Sequence, residues 1–170
     1  MTISEETVVG EQARKHPALV RKTAQAGHEI GNHSDRHGDV MRMSRAELSD
    51  DLARANQAIA QATGRPPRYF RPPHGFRDPL VLAEAERQGL TLVNWSVICR
   101  DWMNPGVDVL VERVQQAVAP GAIILLHDGD GLKQASPREQ TVEATRVIIR
   151  SLKAQGYRFV TLSEVLEQQK

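Results

Sequence analysis

Short apolar runs alternate along the chain with longer stretches in which apolar residues recur at helical spacing, at intervals of roughly 30 residues. This alternation is typical of βα units arranged around a parallel sheet. The run from Ala122 to Leu126 is apolar throughout, as expected of a strand that is covered on both faces. The pattern predicts about five strands and about six helices, with a helix at each end of the chain.

Helix start and stop signals place these elements along the sequence. Pro17 opens a helix that ends before Gly27, and Ser44 forms a capping box with Glu47 at the start of another. The predicted helices cover residues 17–26, 44–62, 78–88, 107–118 and 137–154, with a short last helix capped by Ser163. The predicted strands cover residues 28–32, 69–71, 90–97, 122–126 and 158–162.

Five strands form either an open sheet or an incomplete barrel, because a closed (β/α) barrel takes about 200 residues or more. We therefore expect an α/β fold, an incomplete (β/α) barrel of about five parallel strands with surrounding helices. A barrel that opens on a helix lacks at least one strand in front of it. The pattern thus predicts an N-terminally shortened form of a longer barrel.

The composition narrows the class of protein without choosing a function. With 170 residues, 40% apolar and 25% charged, the chain is expected to form a single domain over residues 1–170. A net charge of +1 argues neither for nor against a polymer partner, and no basic stripe indicates nucleic acid, so no nucleic-acid partner is expected. No apolar run approaches the ~18 residues of a transmembrane helix, and the first residues lack signal-peptide features, so the chain as written is expected to be cytoplasmic. The single cysteine, Cys99, leaves the redox compartment open.

Polar motifs follow three of the predicted strands, where α/β barrels present their catalytic groups. The first contains His33 and His37, whose i, i+4 spacing puts both imidazoles on one side of a helical turn. Catalytic zinc takes three protein ligands and a water, so a third ligand has to come from elsewhere. The candidate carboxylates are Asp35, Asp39, Asp101, Asp128 and Asp130. Taken alone, the two histidines fit a metal site and capping or surface positions about equally well.

The second motif, Arg-Pro-Pro-His-Gly at residues 71–75, predicts a rigid turn. Its prolines fix the backbone and remove donors, so the N–H of His74, next to Gly75, is the nearest donor for a developing oxyanion. Arg71 is suited to holding a carboxylate through two hydrogen bonds. A plain Pro-Pro turn with Arg71 in a surface ion pair is the structural alternative.

The third motif centres on His127, which ends the apolar strand in a partly desolvated place that suits a general acid or base. A core histidine bonded to the backbone is the alternative. Asp101 follows another strand and is placed to orient that imidazole. Trp102 and Trp95 are candidates for the wall of a sugar site, and core packing accounts equally well for Trp95.

In this order, the motifs resemble those of the polysaccharide deacetylases, the NodB-like domain of carbohydrate esterase family four. Residues 27–37, Gly-His-Glu-Ile-Gly-Asn-His-Ser-Asp-Arg-His, resemble the second motif of the family, which implies that His33 and His37 bind the metal. The arginine loop resembles the third motif, which implies that Arg71 orients the catalytic carboxylate and that a backbone N–H helps to form the oxyanion hole.

Two later segments extend the resemblance over nearly the whole chain. Residues 95–102 are similar to the fourth motif of the family, and Leu-Leu-His, ending at His127, is similar to the fifth. The resemblance implies that His127 protonates the leaving amine. It also implies a hydrolase that uses a divalent metal, commonly zinc, to remove N-acetyl or O-acetyl groups from an amino-sugar polysaccharide such as chitin oligomers or peptidoglycan. Members of the family are often exported or associated with the cell wall.

The sequence departs from the family in two places. Ile98 stands where many members have an aspartate, which leaves Asp101 as the acid of the fourth motif. The first motif, Thr-Phe-Asp-Asp, has no counterpart, and in the family it supplies the general base and the third metal ligand. Asp50 and Asp51 do not replace it, because they lie inside a predicted helix. Losing a general base lowers the reaction rate by about 100- to 10,000-fold. We therefore expect the chain to be a shortened form of an active deacetylase and to have little activity as written.

Two other interpretations stay open on the sequence. One is a non-catalytic glycan- or metal-binding protein with the deacetylase fold, and the other is an unrelated metal-dependent amidohydrolase on a barrel. The sequence leaves the glycan, the metal and the oligomeric state undetermined.

Overall fold

The computed structural model describes residues 2–3, 5–129 and 138–167, which contain eight short strands and seven α-helices. The strands are β1 (Thr2–Ile3), β2 (Glu5–Val8), β3 (Glu29–Asn32), β4 (Tyr69–Phe70), β5 (Thr91–Leu92), β6 (Val97–Ile98), β7 (Ile124–Leu125) and β8 (Phe159–Val160). The helices are α1 (Gly10–Lys15), α2 (Pro17–Gln25), α3 (Arg45–Thr63), α4 (Pro79–Arg87), α5 (Val107–Ala117), α6 (Glu139–Ala154) and α7 (Leu162–Glu167). None of the described helices is both long enough and apolar enough to cross a membrane.

The chain divides into two compact units. The first unit, Glu5–Asn94, contains a four-stranded parallel sheet in the order β2-β3-β4-β5, together with α1 to α4. Its strands pair in a register that places Val8 opposite Asn32, and Asn32 opposite Phe70. The apolar residues of α3 recur at helical spacing and therefore lie on one side of the helix. That side packs into the core of this unit. The buried core residues include Ile30, Leu48, Leu52, Ile59, Phe70 and Val81.

The second unit joins Met1–Ser4 to Trp95–Lys170 and contains two parallel pairs of strands, β1 with β8 and β6 with β7. Helices α5 and α6 pack against each other and against these strands around a single apolar cluster. The cluster includes Val97, Leu110, Val114, Ile148 and Leu152. The prediction of a single domain over residues 1–170 stays a prediction.

The α/β class with parallel strands and surrounding helices is confirmed, and no ladder closes on itself within the described residues, which agrees with an incomplete barrel. The predicted helix at the beginning of the chain is wrong, because β1 and β2 precede α1. The two glutamates of β2 hide any apolar alternation there, and pairing of β1 with β8 and of β2 with β3 supplies the hydrogen bonds that make them strands.

Three smaller predictions also need correction. The predicted strand 90–97 is two strands, because Thr91–Leu92 pairs with β4 whereas Val97–Ile98 pairs with β7. The last helix is capped by Thr161 instead of Ser163, since the Thr161 hydroxyl accepts the N–H of Glu164 while the Glu164 carboxylate accepts the N–H of Thr161. The predicted helix 137–154 is described from Glu139, and its first predicted residue lies outside the described part of the chain.

Candidate active site

The loop that follows β3 brings the two predicted metal ligands together. The ring centroids of His33 and His37 lie 4.9 Å apart, with their planes at 73°. The predicted helical turn is wrong, because residues 33–37 form a loop in which Ser34 and His37 have positive φ values of 62° and 56°. The reversal of the backbone at these two residues, instead of helical periodicity, places the imidazoles side by side. Non-glycine residues with positive φ are uncommon and are concentrated at functional sites.

Buried polar side chains hold this loop in place. The Asn32 side chain accepts the N–H of Ser34 at 2.7 Å and donates to the carbonyl of Leu52 at 3.1 Å. The Ser34 hydroxyl accepts the N–H of His37 at 2.8 Å. Asn32 and Ser34 are completely buried, so each hydrogen bond replaces one that water would otherwise make. These hydrogen bonds fix the shape of the loop.

The nearby acids of the loop support its backbone. Asp35 pairs with Arg14 at 2.7 Å, and its N–H donates to the Asp51 carboxylate at 2.8 Å. Burial raises the pKa of Asp51, and the neighbouring charge of Asp35 acts in the same direction. Asp39 caps a 3₁₀ turn by accepting the N–H of Met41. Through these contacts the carboxylates of Asp35, Asp39 and Asp51 stabilise the backbone of the first unit.

His33 is oriented by the second motif. Its Nδ1 atom lies 2.6 Å from the backbone carbonyl oxygen of Arg71, which only accepts, so Nδ1 carries the proton and donates. Nε2 then carries the lone pair that a cation needs, and a hydrogen bond of this kind is the usual orienting contact of metal-binding histidines. The backbone N–H of Arg71 donates in turn to the carbonyl of Asn32 at 2.9 Å. The carbonyl and the N–H of Arg71 thus both make hydrogen bonds that join the second motif to the first.

The arginine loop forms the rigid turn that its prolines predict. The N–H groups of Gly75 and Phe76 donate to Pro72 and Pro73 at 3.0 and 3.2 Å. The predicted oxyanion donor therefore stays the N–H of His74, whose backbone has a φ of 58°. Gly75 has a φ of 71°, the conformation for which glycine is suited. Arg71 is buried, which contradicts the alternative of a surface ion pair.

The turn also carries a third imidazole to the two histidines of the first loop. The ring of His74 lies 5.1 Å from that of His37, edge to face at 82°, and 5.3 Å from the ring of Phe76. The Asn94 side chain donates to the carbonyl of Gly75 at 3.2 Å and so holds the end of the turn.

In the second unit, Asp101 and His127 make the contact that the sequence predicts. The Asp101 Oδ1 atom lies 2.8 Å from His127 Nδ1, and Oδ2 accepts the backbone N–H of His127 at 2.8 Å. The carboxylate is fully buried, whereas the imidazole is 33% exposed. Burial raises the pKa of Asp101, but the hydrogen bonds and charge of His127 together with the Thr141 hydroxyl outweigh burial and leave the pKa below its ordinary value. A buried anion thus fixes a solvent-accessible imidazole, which contradicts the alternative of a core histidine.

The surroundings of this pair contain residues that the sequence analysis missed. The hydroxyl of Thr141, on α6, donates to Asp101 Oδ2 at 3.2 Å, and Gln140 donates to the backbone carbonyl of Asp101 at 3.3 Å. No sequence signal marks them, because polar residues in a helix usually face solvent. The backbone has positive φ at Arg100 and Asn104, on either side of the 3₁₀ turn that carries Asp101.

The two tryptophans of the fourth motif differ in exposure. Trp102 is 44% exposed, and its ring lies 5.2 Å from that of His127 at 88°. Trp95 is half-buried. The exposed ring beside His127 suits the predicted sugar contact. In the same segment, burial raises the pKa of the Cys99 thiol to about 11, with the charge of Asp101 adding to it, so the thiol is protonated at neutral pH.

Of the predicted metal ligands in the described residues, two, His33 and His37, are brought together. As placed, no three His, Cys, Asp or Glu side chains in residues 2–3, 5–129 and 138–167 are arranged to hold a metal ion. Of the candidate carboxylates, Asp35 and Asp39 are engaged as above, Asp101 holds His127, Asp128 is exposed, and Asp130 lies outside the described residues. The two imidazoles nevertheless fit a divalent metal, since their spacing and the proton on Nδ1 of His33 suit one shared cation.

Residues 7–93 match the family described as polysaccharide deacetylase. The chain is 38% identical to a chitooligosaccharide deacetylase of Bradyrhizobium sp. (strain ANU 289), over 93% of this chain and 75% of the relative. It is also 38% identical to a peptidoglycan-N-acetylglucosamine deacetylase of Bacillus cereus, over 94% of this chain and 73% of the relative. The chain therefore belongs to the polysaccharide deacetylase family.

Solved structures give the same result. A CE4 family pseudoenzyme from Bacillus anthracis is similar with a TM-score of 0.85 and 32% identity, over 94% of this chain. This chain spans 54% of that pseudoenzyme, about half its length. A family 4 acetyl xylan esterase from Clostridium thermocellum in complex with a cobalt ion has a TM-score of 0.85 and 32% identity, over 97% of this chain and 78% of the esterase.

These similarities confirm the predicted family, the fold class and the hydrolase class. These similarities also confirm that the family uses a divalent metal ion as its cofactor. The assignment of catalytic roles to individual residues stays a prediction.

Proposed function

We propose that this protein is a metal-dependent deacetylase that removes N-acetyl, or O-acetyl, groups from an amino-sugar glycan such as chitin oligomers or peptidoglycan. The observation that carries the proposal is the pair formed by Asp101 and His127, a buried carboxylate that holds a partly exposed imidazole. Relatives named as chitooligosaccharide and peptidoglycan-N-acetylglucosamine deacetylases support an acetylated glycan as the substrate.

His33 and His37 are the residues that would hold the metal, and we propose zinc. A metal held there would supply Lewis acidity to the acetyl carbonyl and to the attacking water. The hydrogen bond from His33 Nδ1 to Arg71 keeps Nε2 of His33 in the tautomer that can bind a cation. The proposed ligands are neutral imidazoles. Zinc binds imidazole nitrogen well, which supports zinc as the metal.

His127 is proposed to donate a proton to the departing amine. Asp101 engages Nδ1 and the backbone N–H of His127, so the ring can move a proton through Nε2 while its orientation stays fixed. The N–H of His74 is proposed to stabilise the oxyanion, because the rigid turn fixes the direction of that donor. Trp102 is proposed to contact a sugar ring beside His127.

A second candidate function, a non-catalytic protein of the same fold that binds glycan or metal, is favoured by one specific observation. One of the similar structures, at 32% identity and a TM-score of 0.85, is a CE4 family pseudoenzyme. The two candidates differ in turnover and agree in binding.

Acetate release from chitooligosaccharides and from peptidoglycan separates them. Zinc-loaded protein, His127→Ala and His16→Ala would be assayed in parallel, because His16 is an exposed histidine outside the motifs. Release that His127→Ala abolishes and His16→Ala retains supports the deacetylase. Calorimetric binding of the oligosaccharide without release supports the non-catalytic protein, and neither binding nor release would overturn both.

A further inference from the structure

The Asp101 carboxylate is held by donors from two distant segments of the second unit. Its Oδ1 atom lies 2.8 Å from Nδ1 of His127, and Oδ2 accepts the backbone N–H of His127 at 2.8 Å. The Thr141 hydroxyl donates a further hydrogen bond to Oδ2 at 3.2 Å. Asp101 is fully buried, so protein donors replace water at both oxygens. The two oxygens are therefore not equivalent, since Oδ1 faces the ring and Oδ2 is shared by a backbone and a side-chain donor.

The contact made by Thr141 is unusual for a threonine inside a helix. Such a hydroxyl often bonds to a carbonyl of the preceding turn. Thr145, on the same helix, does this by donating to the carbonyl of Thr141 at 2.7 Å. Thr141 is 5% exposed, and its hydroxyl reaches a carboxylate that lies 40 residues away in the sequence. Thr141 also belongs to the first turn of α6, the end of a helix at which positive partial charge favours an anion.

The residue before Thr141 supports the backbone of the turn that carries the carboxylate. Gln140 Nε2 donates to the backbone carbonyl of Asp101 at 3.3 Å and to the side-chain oxygen of Asn104. Gln140 Oε1 accepts the N–H of Gly106 at 2.9 Å. Asn104 has a positive φ of 49°, a strained conformation that persists where the surroundings impose it. Gln140 thus holds the turn, and Thr141 holds its carboxylate.

We propose that Thr141 is a positioning residue for the proton transfer that His127 performs in the proposed function. By donating to Oδ2, the hydroxyl opposes rotation of the carboxylate, because the χ2 torsion of aspartate is otherwise soft. Oδ1 then stays aligned with Nδ1 of His127, which keeps the proton on Nδ1 and leaves Nε2 for the departing amine. The proposal rests on the proposed function and adds to it a residue that acts through Asp101.

Variants of the full chain separate the hydroxyl from the rest of the side chain without changing any charge. Thr141→Val keeps the branched shape and removes the donor, whereas Thr141→Ser keeps the donor. Thr145→Val is the matched control on the same helix, because its hydroxyl bonds to the helix backbone. Should Thr141→Val fail to fold, Thr141→Ala measures the same loss, since alanine lacks the hydroxyl and suits a helix.

Nuclear magnetic resonance of the His127 ring, assigned by comparison with His127→Ala, gives the first measurement. The ¹⁵N shifts report which ring nitrogen carries the proton, and the Nδ1–H signal reports exchange with water. In Thr141→Val we expect a mixture of the two tautomers and exchange of Nδ1–H at least about tenfold faster than in the wild type. Thr141→Ser and Thr145→Val should behave as the wild type does.

Acetate release from the zinc-loaded protein gives the second measurement. Thr141→Val is expected to lower kcat about tenfold, a part of the 100- to 10,000-fold that a general acid contributes, while KM stays within about twofold. Thr141→Ser should restore kcat. A role in folding alone would not divide the effect between kcat and KM in this way.

The outcomes distinguish this proposal from the proposed function. A wild-type tautomer and exchange rate in Thr141→Val would overturn the positioning role, and so would an unchanged kcat, while acetate release by the wild type would leave the proposed function standing. If the wild type releases no acetate but Thr141→Val alters the His127 ring, the deacetylase is overturned and Thr141 is still the residue that orients His127 through Asp101.

Discussion

His33 Nδ1 lies 2.6 Å from the backbone carbonyl oxygen of Arg71, so one hydrogen bond joins the predicted metal loop to the predicted oxyanion turn. The carbonyl cannot donate, and this determines which nitrogen of His33 carries the proton. The contact requires no particular side chain at position 71, because the acceptor belongs to the backbone. What fixes the acceptor is the short strand β4 and the two prolines after it.

Replacing both loop histidines is expected to remove the metal. In His33→Ala/His37→Ala both proposed nitrogen ligands are absent, so affinity for Zn²⁺ should fall by more than about 100-fold. Metal content after dialysis, measured by mass spectrometry, checks this, with His16→Ala as the matched control. Equal zinc content in the double variant and the control would contradict the site.

Asn32→Ala is expected to destabilise the loop that carries the two histidines. The variant leaves the N–H of Ser34 and the carbonyl of Leu52 buried without their partner, at a cost of about 2 kcal/mol in the free energy of unfolding. Urea unfolding measures the cost. Asn56→Ala removes two side-chain hydrogen bonds, one from Asn32 and one to Gln88, but takes no partner from a buried backbone group and should cost less. A larger effect at Asn56 than at Asn32 would show that the loop does not depend on this network.

Gly10→Ala tests the close approach of α1 to the same loop. A Cβ atom at this position would lie 2.4 Å from Asp35 Oδ1 and 2.7 Å from the Cα atom of Ala55, so the backbone has to shift. We expect a loss of about 1–3 kcal/mol in the free energy of unfolding. Gly129→Ala is the control, because a Cβ atom there has no neighbour within 4 Å. Thermal unfolding of the two variants should differ clearly, and equal melting temperatures would contradict the packing.

Asp101→Asn should change the dependence of stability on pH. Burial raises the folded-state pKa of Asp101, but the hydrogen bonds and charge of His127 and the Thr141 hydroxyl together hold it below its ordinary value. A carboxylate of this kind stabilises the fold above its unfolded pKa of about 4, and the contribution is lost as the pH falls through the folded value. The variant should therefore be less stable than the wild type at neutral pH, and the difference should shrink below about pH 4.

Urea unfolding at several pH values measures this difference. Asp108→Asn is the control, because Asp108 is exposed and lies in the same unit. A difference between Asp101→Asn and the wild type that stays constant with pH would mean that the charge of Asp101 does not contribute through its pKa.

Trp102→Ala is expected to weaken the binding of chitooligosaccharide by about tenfold, because the variant removes the exposed aromatic face beside His127. Trp102→Phe keeps an aromatic ring and should restore most of the affinity. Calorimetric titration of the oligosaccharide against both variants measures the effect. Equal affinities for Trp102→Ala and the wild type would exclude Trp102 from the sugar contact.

Much of the fold follows from local signals in the sequence. The capping box of Ser44 and Glu47 starts α3 where predicted, and Pro17 and Pro79 open α2 and α4. These signals act within a few residues, so they can be read without knowing the fold. The two strands before α1 could not be found in this way, because their pairing partners β3 and β8 lie far along the chain.

The sequence by itself determined the residue types of the site and their order: two histidines after one strand, a rigid turn after the next, and a histidine at the end of an apolar strand. Tertiary structure alone decided how they are held. The positive φ of Ser34 and His37, the carbonyl of Arg71 that fixes the tautomer of His33, and the hydroxyl of Thr141 that reaches Asp101 all depend on contacts between distant segments. Local propensity carries no information about such contacts, because their partners are brought together only when the chain packs.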